Sequence, residues 1–237
     1  MIKIILSDLD GTILYRKSHD GSKFISFETR DLISDMKSNQ YLDYFIIATG
    51  RNLDSFRKAT EKYNINFFDY AICANGAIVI NNKFEIVYQS YFKALQIQKI
   101  NKRLQLYEKE ILKIEKGLYT GKLYSINLTM SSEKVTQSIS KELTLCIPEL
   151  VVNPNSVYLD ITPFQTGKWK TYDRIFLNNI YNYRTFSIGD GENDIDILAN
   201  SDYSCSFHYA KQIVKNYSRE VVSDFEAGLR TAVDFFC

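Results

Sequence analysis

Ile2-Lys3-Ile4-Ile5-Leu6-Ser7-Asp8-Leu9-Asp10-Gly11-Thr12 is an apolar run that ends in two carboxylates one residue apart. The run over residues 2–6 reads as a buried strand. Keeping Asp8 and Asp10 at its mouth would be costly if they served packing alone. The pair makes sense if one carboxylate attacks an electrophile, the other handles a proton, and a hard cation sits between them. A second acidic cluster, Gly189-Asp190-Gly191-Glu192-Asn193-Asp194, follows another strand-like run at residues 185–188. Together the two clusters point to magnesium-dependent phosphoryl chemistry.

Working outward, short apolar strands alternate with helical patterns in both terminal thirds. Ser26 can cap a helix through Leu32, Ile33 and Met36. A second strand over residues 44–48 ends at Thr49-Gly50-Arg51, and a helix over 53–63 follows. The run 70–74 ends at Asn75-Gly76. A helix over 169–178 precedes the 185–188 strand, and a last strand over 203–207 precedes a charged, partly helical tail. This alternation predicts an α/β domain with a doubly wound parallel sheet covered on both faces. The middle has a different texture. It has a Lys- and Gln-rich helical stretch over 94–113, alternation over 123–128, a helix over 133–143, and strands at 149–152 and 158–161. It reads as an α+β unit inserted at residues 81–164, with the sheet domain at 1–80 and 165–237.

The 237 residues exceed the roughly 100–150 of a common single domain. Charge is balanced, 29 Lys and Arg against 28 Asp and Glu, so no strong field for nucleic acid or an anionic membrane is expected. No stretch approaches the ~20 apolar residues of a membrane span, and the first apolar run is too short for a signal peptide. Cys73, Cys146, Cys205 and Cys237 form no CxxC pair, which fits a reduced, cytoplasmic setting. The 14% aromatic content is read as core and sheet packing.

In open parallel sheets, ligands bind beyond the carboxyl ends of the strands. The candidate polar groups all fall at such ends: Asp8 and Asp10, Thr49, Asn75, and Asp190 with Asn193 and Asp194. Asp8 can serve as nucleophile to phosphorus and form an aspartyl-phosphate. Asp10 can protonate the leaving oxygen and then activate water. Gly11 allows close approach of the backbone, and Thr12 is expected to fix Asp10 by a hydrogen bond. Thr49 and the Gly50 amide can donate to phosphoryl oxygens, as can a lysine. Asp190 brings a second carboxylate to a magnesium ion, and Lys168 offsets repulsion between Asp8 and a phosphate dianion.

Asp8-Leu9-Asp10-Gly11-Thr12, Thr49-Gly50-Arg51, Lys168 and Gly189 to Asp194 resemble the four ordered motifs of the haloacid dehalogenase superfamily. The Glu192-Asn193-Asp194 ending, the Asn75-Gly76 turn and the mid-chain insertion are similar to its Cof-type sugar-phosphatase branch. The resemblance implies a Rossmann-like core, an α/β cap and a magnesium-dependent phosphatase of small phosphorylated metabolites. On matching positions it implies Asp8 as nucleophile, Asp10 as acid/base and, through its backbone carbonyl, metal ligand, and Asp190 as metal ligand. It further implies that Asp194 orders the metal site, and that Thr49, Lys168 and Asn193 hold the phosphate. Two positions depart from the pattern. The lysine motif reads Gly167-Lys168-Trp169-Lys170, leaving Lys170 as the alternative. His208-Tyr209-Ala210 stands where an Asn-Ala pair is usual.

Blander readings bear on several of these residues. Asp8 and Asp10 alone fit a solvated turn, a reading weakened by the distal cluster. Asp190, Glu192, Asp194 and Asp196 alternate like a calcium loop, but Ile195 and Ser201 occupy the positions where an EF-hand needs Gly and Glu. Arg51 reads as an ion-pair or surface residue, Asn75-Gly76 as a structural turn, and His19 and His208 as surface or loop residues. The rival functions are a phosphotransferase or mutase of the same chemistry, a phospho-accepting receiver, and a catalytically silent binding protein. A receiver is about half this length and carries no cap. Substrate contacts are expected from the cap, where Tyr119, Tyr124 and Asn127 give no readable code.

Overall fold

The first strand, β1 (Ile2–Ser7), divides its apolar side chains between two faces, as a pleated strand must. Ile5 enters one hydrophobic cluster, while Ile4 and Leu6 enter another on the opposite face. The structure, a computed structural model, describes residues 1–16, 23–178 and 182–237. His19 lies outside them.

Two-residue strands β2 (Tyr15–Arg16) and β3 (Lys23–Phe24) pair antiparallel just after β1. Helix α1 (Phe27–Ser38) begins at Ser26, whose side chain accepts from the Thr29 amide as the sequence suggested. Then come β4 (Tyr44–Ala48), α2 (Leu53–Tyr63) and β5 (Tyr70–Cys73). Two strands follow that the sequence reading did not separate, β6 (Ile78–Asn81) and β7 (Ile86–Gln89). They fold back antiparallel on β5, so the larger sheet runs past residue 80.

The middle of the chain forms α3 (Ala94–Leu104), β8 (Ile111–Tyr119), β9 (Lys122–Met130), α4 (Glu133–Cys146), β10 (Leu150–Asn155) and β11 (Tyr158–Pro163). The helix expected through residue 113 stops at Leu104, and after a short turn the chain becomes a strand from Ile111. Thr120 and Gly121 take positive φ (47° and 75°), a two-residue turn that folds β8 onto β9. Pairing along that hairpin outweighs the helical propensity of its lysines. These strands form a separate four-stranded antiparallel sheet, β10-β11-β9-β8, backed by its own core of Ile100, Leu128, Ile139 and Leu159.

The chain then returns through α5 (Lys168–Tyr172), continued by a π turn to Leu177, and β12 (Tyr183–Ile188). After these come α6 (Ile195–Asn200), β13 (Tyr203–Phe207), α7 (Gln212–Lys215), β14 (Glu220–Val222) and α8 (Phe225–Phe236). The expected charged tail is therefore a further strand and a core helix, with Phe225, Leu229, Ala232 and Phe236 buried. Glu226 on this helix accepts from Tyr15 (2.7 Å), Thr29 (2.6 Å) and Ser26, anchoring the start of α1 and β2.

The large sheet has the order β14-β13-β12-β1-β4-β5-β6-β7, with β14 through β5 mutually parallel. The chain leaves β1 toward β4 and later returns to its other side through β12. The order therefore reverses at β1, which opens a crevice at the carboxyl ends of β1, β4 and β12.

Candidate active site

Backbone hydrogen bonds gather the strand ends around that crevice. The Asp8 amide donates to the Ile188 carbonyl (2.9 Å), Thr49 to Ile72 (2.8 Å), and Asn75 to the Thr49 carbonyl (3.0 Å). Asp8, Thr49 and Asn75 are consequently buried polar residues. Asp8 and Thr49 line a cleft with a volume of about 390 Å³ that also takes in Asp10, Gly50, Asp190 and Asn193. All of these were candidates from the sequence.

At the floor, Lys168 is 1% exposed, and its Nζ donates to Asp8 Oδ1 (2.6 Å) and Asp194 Oδ1 (2.5 Å). Burial alone would drive this ammonium toward neutrality; the charges of Asp194 and Asp8 outweigh that and raise its pKa. Lys170, the alternative lysine, is exposed on the outer side of α5. The start of α5 is itself held by Asp196, whose Oδ2 accepts from the Trp169 amide (3.0 Å). Asp194 is fully committed: its Oδ2 accepts from the amides of Asp190 (3.1 Å) and Gly191 (2.8 Å).

Asp8, Asp190 and Asp194 bring carboxylate oxygens to within 4.8 Å of one another. Burial, then the Asp194 charge, raises Asp8 well above the ordinary carboxylate range, and the same two causes push Asp190 up to about 7. Three carboxylates against one ammonium leave a negative excess, and oxygen donors of this kind suit a hard divalent cation. The residues therefore fit a metal. Asp190 and Asp8 each keep one oxygen that receives no hydrogen bond from the described residues.

The raised pKa of Asp190 makes pH a test of this crowding. The folded state holds the proton more tightly than the unfolded chain, so metal-free stability falls as pH rises from about 4 toward 7 and then levels off. Melting temperatures of the metal-free protein between pH 5 and 8 are expected to show that fall. Saturating magnesium should flatten it, because a cation stabilises the ionised carboxylates.

Thr12 does not serve Asp10 as expected. Gly11 has φ +91°, and the reversal it makes lets the two side chains diverge. Thr12, fully buried and off the cleft wall, instead donates to Asp190 Oδ1 (3.1 Å). Asp10 is gripped by Arg51, whose Nε and Nη2 donate at 2.5 and 2.7 Å, and by Lys23 from β3. Burial pushes Asp10 up, but the hydrogen bonds and charges of these two cations hold its pKa below the usual value. Arg51 is thus the ion-pair residue the sequence suggested, yet it also lines the cleft.

A Cβ at Gly11 would fall 2.3 Å from Asp190 Oδ2, in a backbone conformation that L side chains rarely adopt. Gly11→Ala is expected to displace the Asp190 carboxylate, weakening magnesium binding and cutting kcat/KM by on the order of 100-fold. Calorimetric titration with magnesium checks the first effect independently of turnover.

Sequence reasoning missed several neighbours because they meet only in three dimensions. Asp160, from β11, reaches across from the smaller sheet to Asn75 and also accepts from Asn127 on β9. Tyr209, in the segment that departs from the familiar pattern, donates to the Gly11 carbonyl (2.5 Å) and stacks on Phe207. His208 is exposed, as expected. Of the middle-segment residues singled out, Asn127 lines the cleft. Tyr124 is buried and accepts from the Leu53 amide (2.9 Å), and Tyr119 lies at the exposed end of β8.

The chain belongs to the haloacid dehalogenase-like hydrolase family, whose sequence model matches residues 5–127 and 102–228. No curated protein sequence matches it. Its architecture is that of the Cof-type branch. A subclass IIB sugar phosphatase of the superfamily superposes with a TM-score of 0.75 at 20% identity, covering 99% of this chain and 98% of its own. A haloacid dehalogenase-like hydrolase from B. subtilis gives 0.81 at 15% identity, covering 98% and 99%. A phosphatase of the same superfamily from Bacteroides thetaiotaomicron gives 0.74 at 18%, covering 100% and 95%. At these identities the likeness is one of fold. Among the described residues, no helix is long and apolar enough to cross a membrane.

Proposed function

We propose that this protein is a magnesium-dependent phosphatase of small phosphorylated metabolites, acting through an aspartyl-phosphate on Asp8. The observation that carries the reading is the Asp8 carboxylate at the sheet's switch point, with one oxygen on Lys168 (2.6 Å) and Asp190 and Asp194 beside it. Asp8 would attack phosphorus as the bond to the leaving oxygen breaks, and that oxygen would take a proton from Asp10. Water would then attack the phosphoryl group, giving its proton to Asp10 as the bond to Asp8 breaks. Thr49, the Gly50 amide, Lys168 and Asn193 are assigned to the phosphoryl oxygens, and Thr12 to holding Asp190. Asp8, Asp190 and the Asp10 carbonyl would hold magnesium, with Asp194 ordering them. The cation would supply charge neutralisation between nucleophile and phosphate.

Asp10 held by Arg51 and Lys23 is an ionised base, ready to accept a proton from water. Donating one to the leaving group would require it to loosen those contacts. We assign residues 81–164, apart from β7, to the substrate-selecting cap, and the flanking segments together with β7 to the core. The cap wall is mostly polar, with Lys113, Glu115, Asn127, Thr129, Asn155 and Asp160 beside Leu128 and Tyr158, which suits hydroxylated leaving groups such as sugars. Four free thiols accord with a cytoplasmic setting.

The test is phosphate release from a panel of phosphorylated metabolites, with magnesium and with a chelator. Magnesium-dependent release is expected, strongest for sugar phosphates. Transfer of the phosphoryl group to an added sugar, with none freed, would make it a transferase. Neither reaction from any compound would end the enzyme reading.

A further inference from the structure

One line of side chains joins the smaller sheet to the phosphate-binding end of the cleft. Asn127 Nδ2, on β9, donates to Asp160 Oδ1 (2.7 Å), on β11. Asp160 Oδ2 accepts from Asn75 Nδ2 (2.9 Å), beyond β5. Asn75 Oδ1 in turn accepts from Asn193 Nδ2 (3.4 Å), beyond β12. Four separate elements meet here, and every link has a donor facing an acceptor.

Asp160 is well placed to set this line. Its carboxylate closes onto the core so tightly that a Cβ on Gly50 would lie 3.0 Å from Oδ2. Both of its oxygens accept, so both neighbouring amides turn their NH2 groups toward it. That choice orients Asn75, and so leaves the Asn75 carbonyl oxygen to receive Asn193. A neutral side chain at 160 would not enforce that direction. Asn75 itself has φ +48°, a conformation that Asn and Asp tolerate better than most residues, and its buried amide has no freedom to seek other partners.

We propose that Asp160 is a positioning residue for the reaction: through Asn75 it fixes the amide of Asn193 and ties the smaller sheet to the phosphate-binding geometry. This rests on the phosphatase reading for the role of Asn193. It assigns the cap a part in phosphate binding in addition to selecting the leaving group.

The polarity of the line provides its own test. Asp160→Asn sets one NH2 group against another and breaks a link. Asn75→Asp alone sets two carboxylates together. The double variant Asp160→Asn with Asn75→Asp can keep all three hydrogen bonds: the amide oxygen at 160 accepts from Asn127, its NH2 donates to the carboxylate at 75, and that carboxylate still receives Asn193. Inorganic phosphate binding in magnesium is measured by calorimetry well below the melting temperature, alongside kcat and KM on whichever substrate the panel identifies.

Asp160→Asn is expected to weaken phosphate binding about tenfold and cut kcat/KM by roughly 10- to 100-fold, a loss typical of misplaced catalytic groups. Asn75→Asp should be at least as damaging. The double variant should return to within about threefold of wild type, the signature of coupled neighbours in a mutant cycle. A double variant no better than the single ones would overturn the proposal. So would a lowered melting temperature in Asp160→Asn with phosphate affinity unchanged, or a wild type that binds no phosphate. The expected binding pattern without turnover would support the line while overturning the phosphatase reading.

Discussion

Asp8→Asn is expected to abolish turnover, lowering kcat by on the order of 10⁴- to 10⁶-fold, as loss of a covalent nucleophile does. An amide cannot attack phosphorus as a carboxylate does, and no other described carboxylate combines a buried lysine partner with a place directly after β1. The variant should nevertheless fold. It removes one charge from three crowded carboxylates, a place where burial and the Asp194 charge already favour a protonated Asp8. The metal-free melting temperature should therefore hold or rise. Rapid-quench capture of a phosphorylated protein should succeed for wild type and fail for Asp8→Asn. Retention of more than about 1% of activity would place the nucleophile elsewhere.

Lys168→Met carries the second large effect, this time on both stability and rate. Lys168 is the ammonium between Asp8 and Asp194, and all three are nearly solvent-free. Removing one member of such a buried set leaves uncompensated charge and typically costs about 3–5 kcal/mol. Denaturant unfolding without metal should show that loss, and magnesium should recover part of it by supplying positive charge. Where folded, the variant should lose a further 10²- to 10³-fold in kcat/KM, the usual cost of removing one preorganised charge from a transition state. Lys170→Met is the control. That side chain is exposed, so stability should stay within about 0.5 kcal/mol and activity near wild type. If the two variants exchanged behaviour, Lys170 would be the phosphate-site lysine.

The contrast between these lysines shows where sequence reading reaches its limit. Both lie at the start of one helix, and spacing alone left Lys170 open. Burial of Lys168 between two carboxylates separates them. Asp10 teaches the same lesson. Its proximity to Thr12 in sequence suggested a local hydrogen bond, but the turn at Gly11 sends Thr12 to Asp190, and Asp10 finds Arg51 and Lys23 instead. Asp160, missed altogether, sits on a strand that was readable but whose partner across the cleft was not; Asn127 was named, but without its partner. Residues 111–113, which open β8, read as the end of the Lys- and Gln-rich helix over 94–113; the pairing of β8 with β9 is what makes them a strand.

The sequence by itself determined the parallel α/β core, the inserted second unit and the strand-end cluster of Asp8, Asp10, Thr49, Gly50, Asp190 and Asn193. Those features follow from local causes: strand and helix periodicity, turn residues, and polar groups placed where apolar runs stop. Only the tertiary structure decided which charges neutralise one another, which lysine enters the site, and that the smaller sheet touches Asn75, at the end of β5, through Asp160. Ion pairs and hydrogen bonds between residues 85 or 160 positions apart depend on distances of a few ångströms. Those distances are set by how the two sheets pack and by the reversal of strand order at β1.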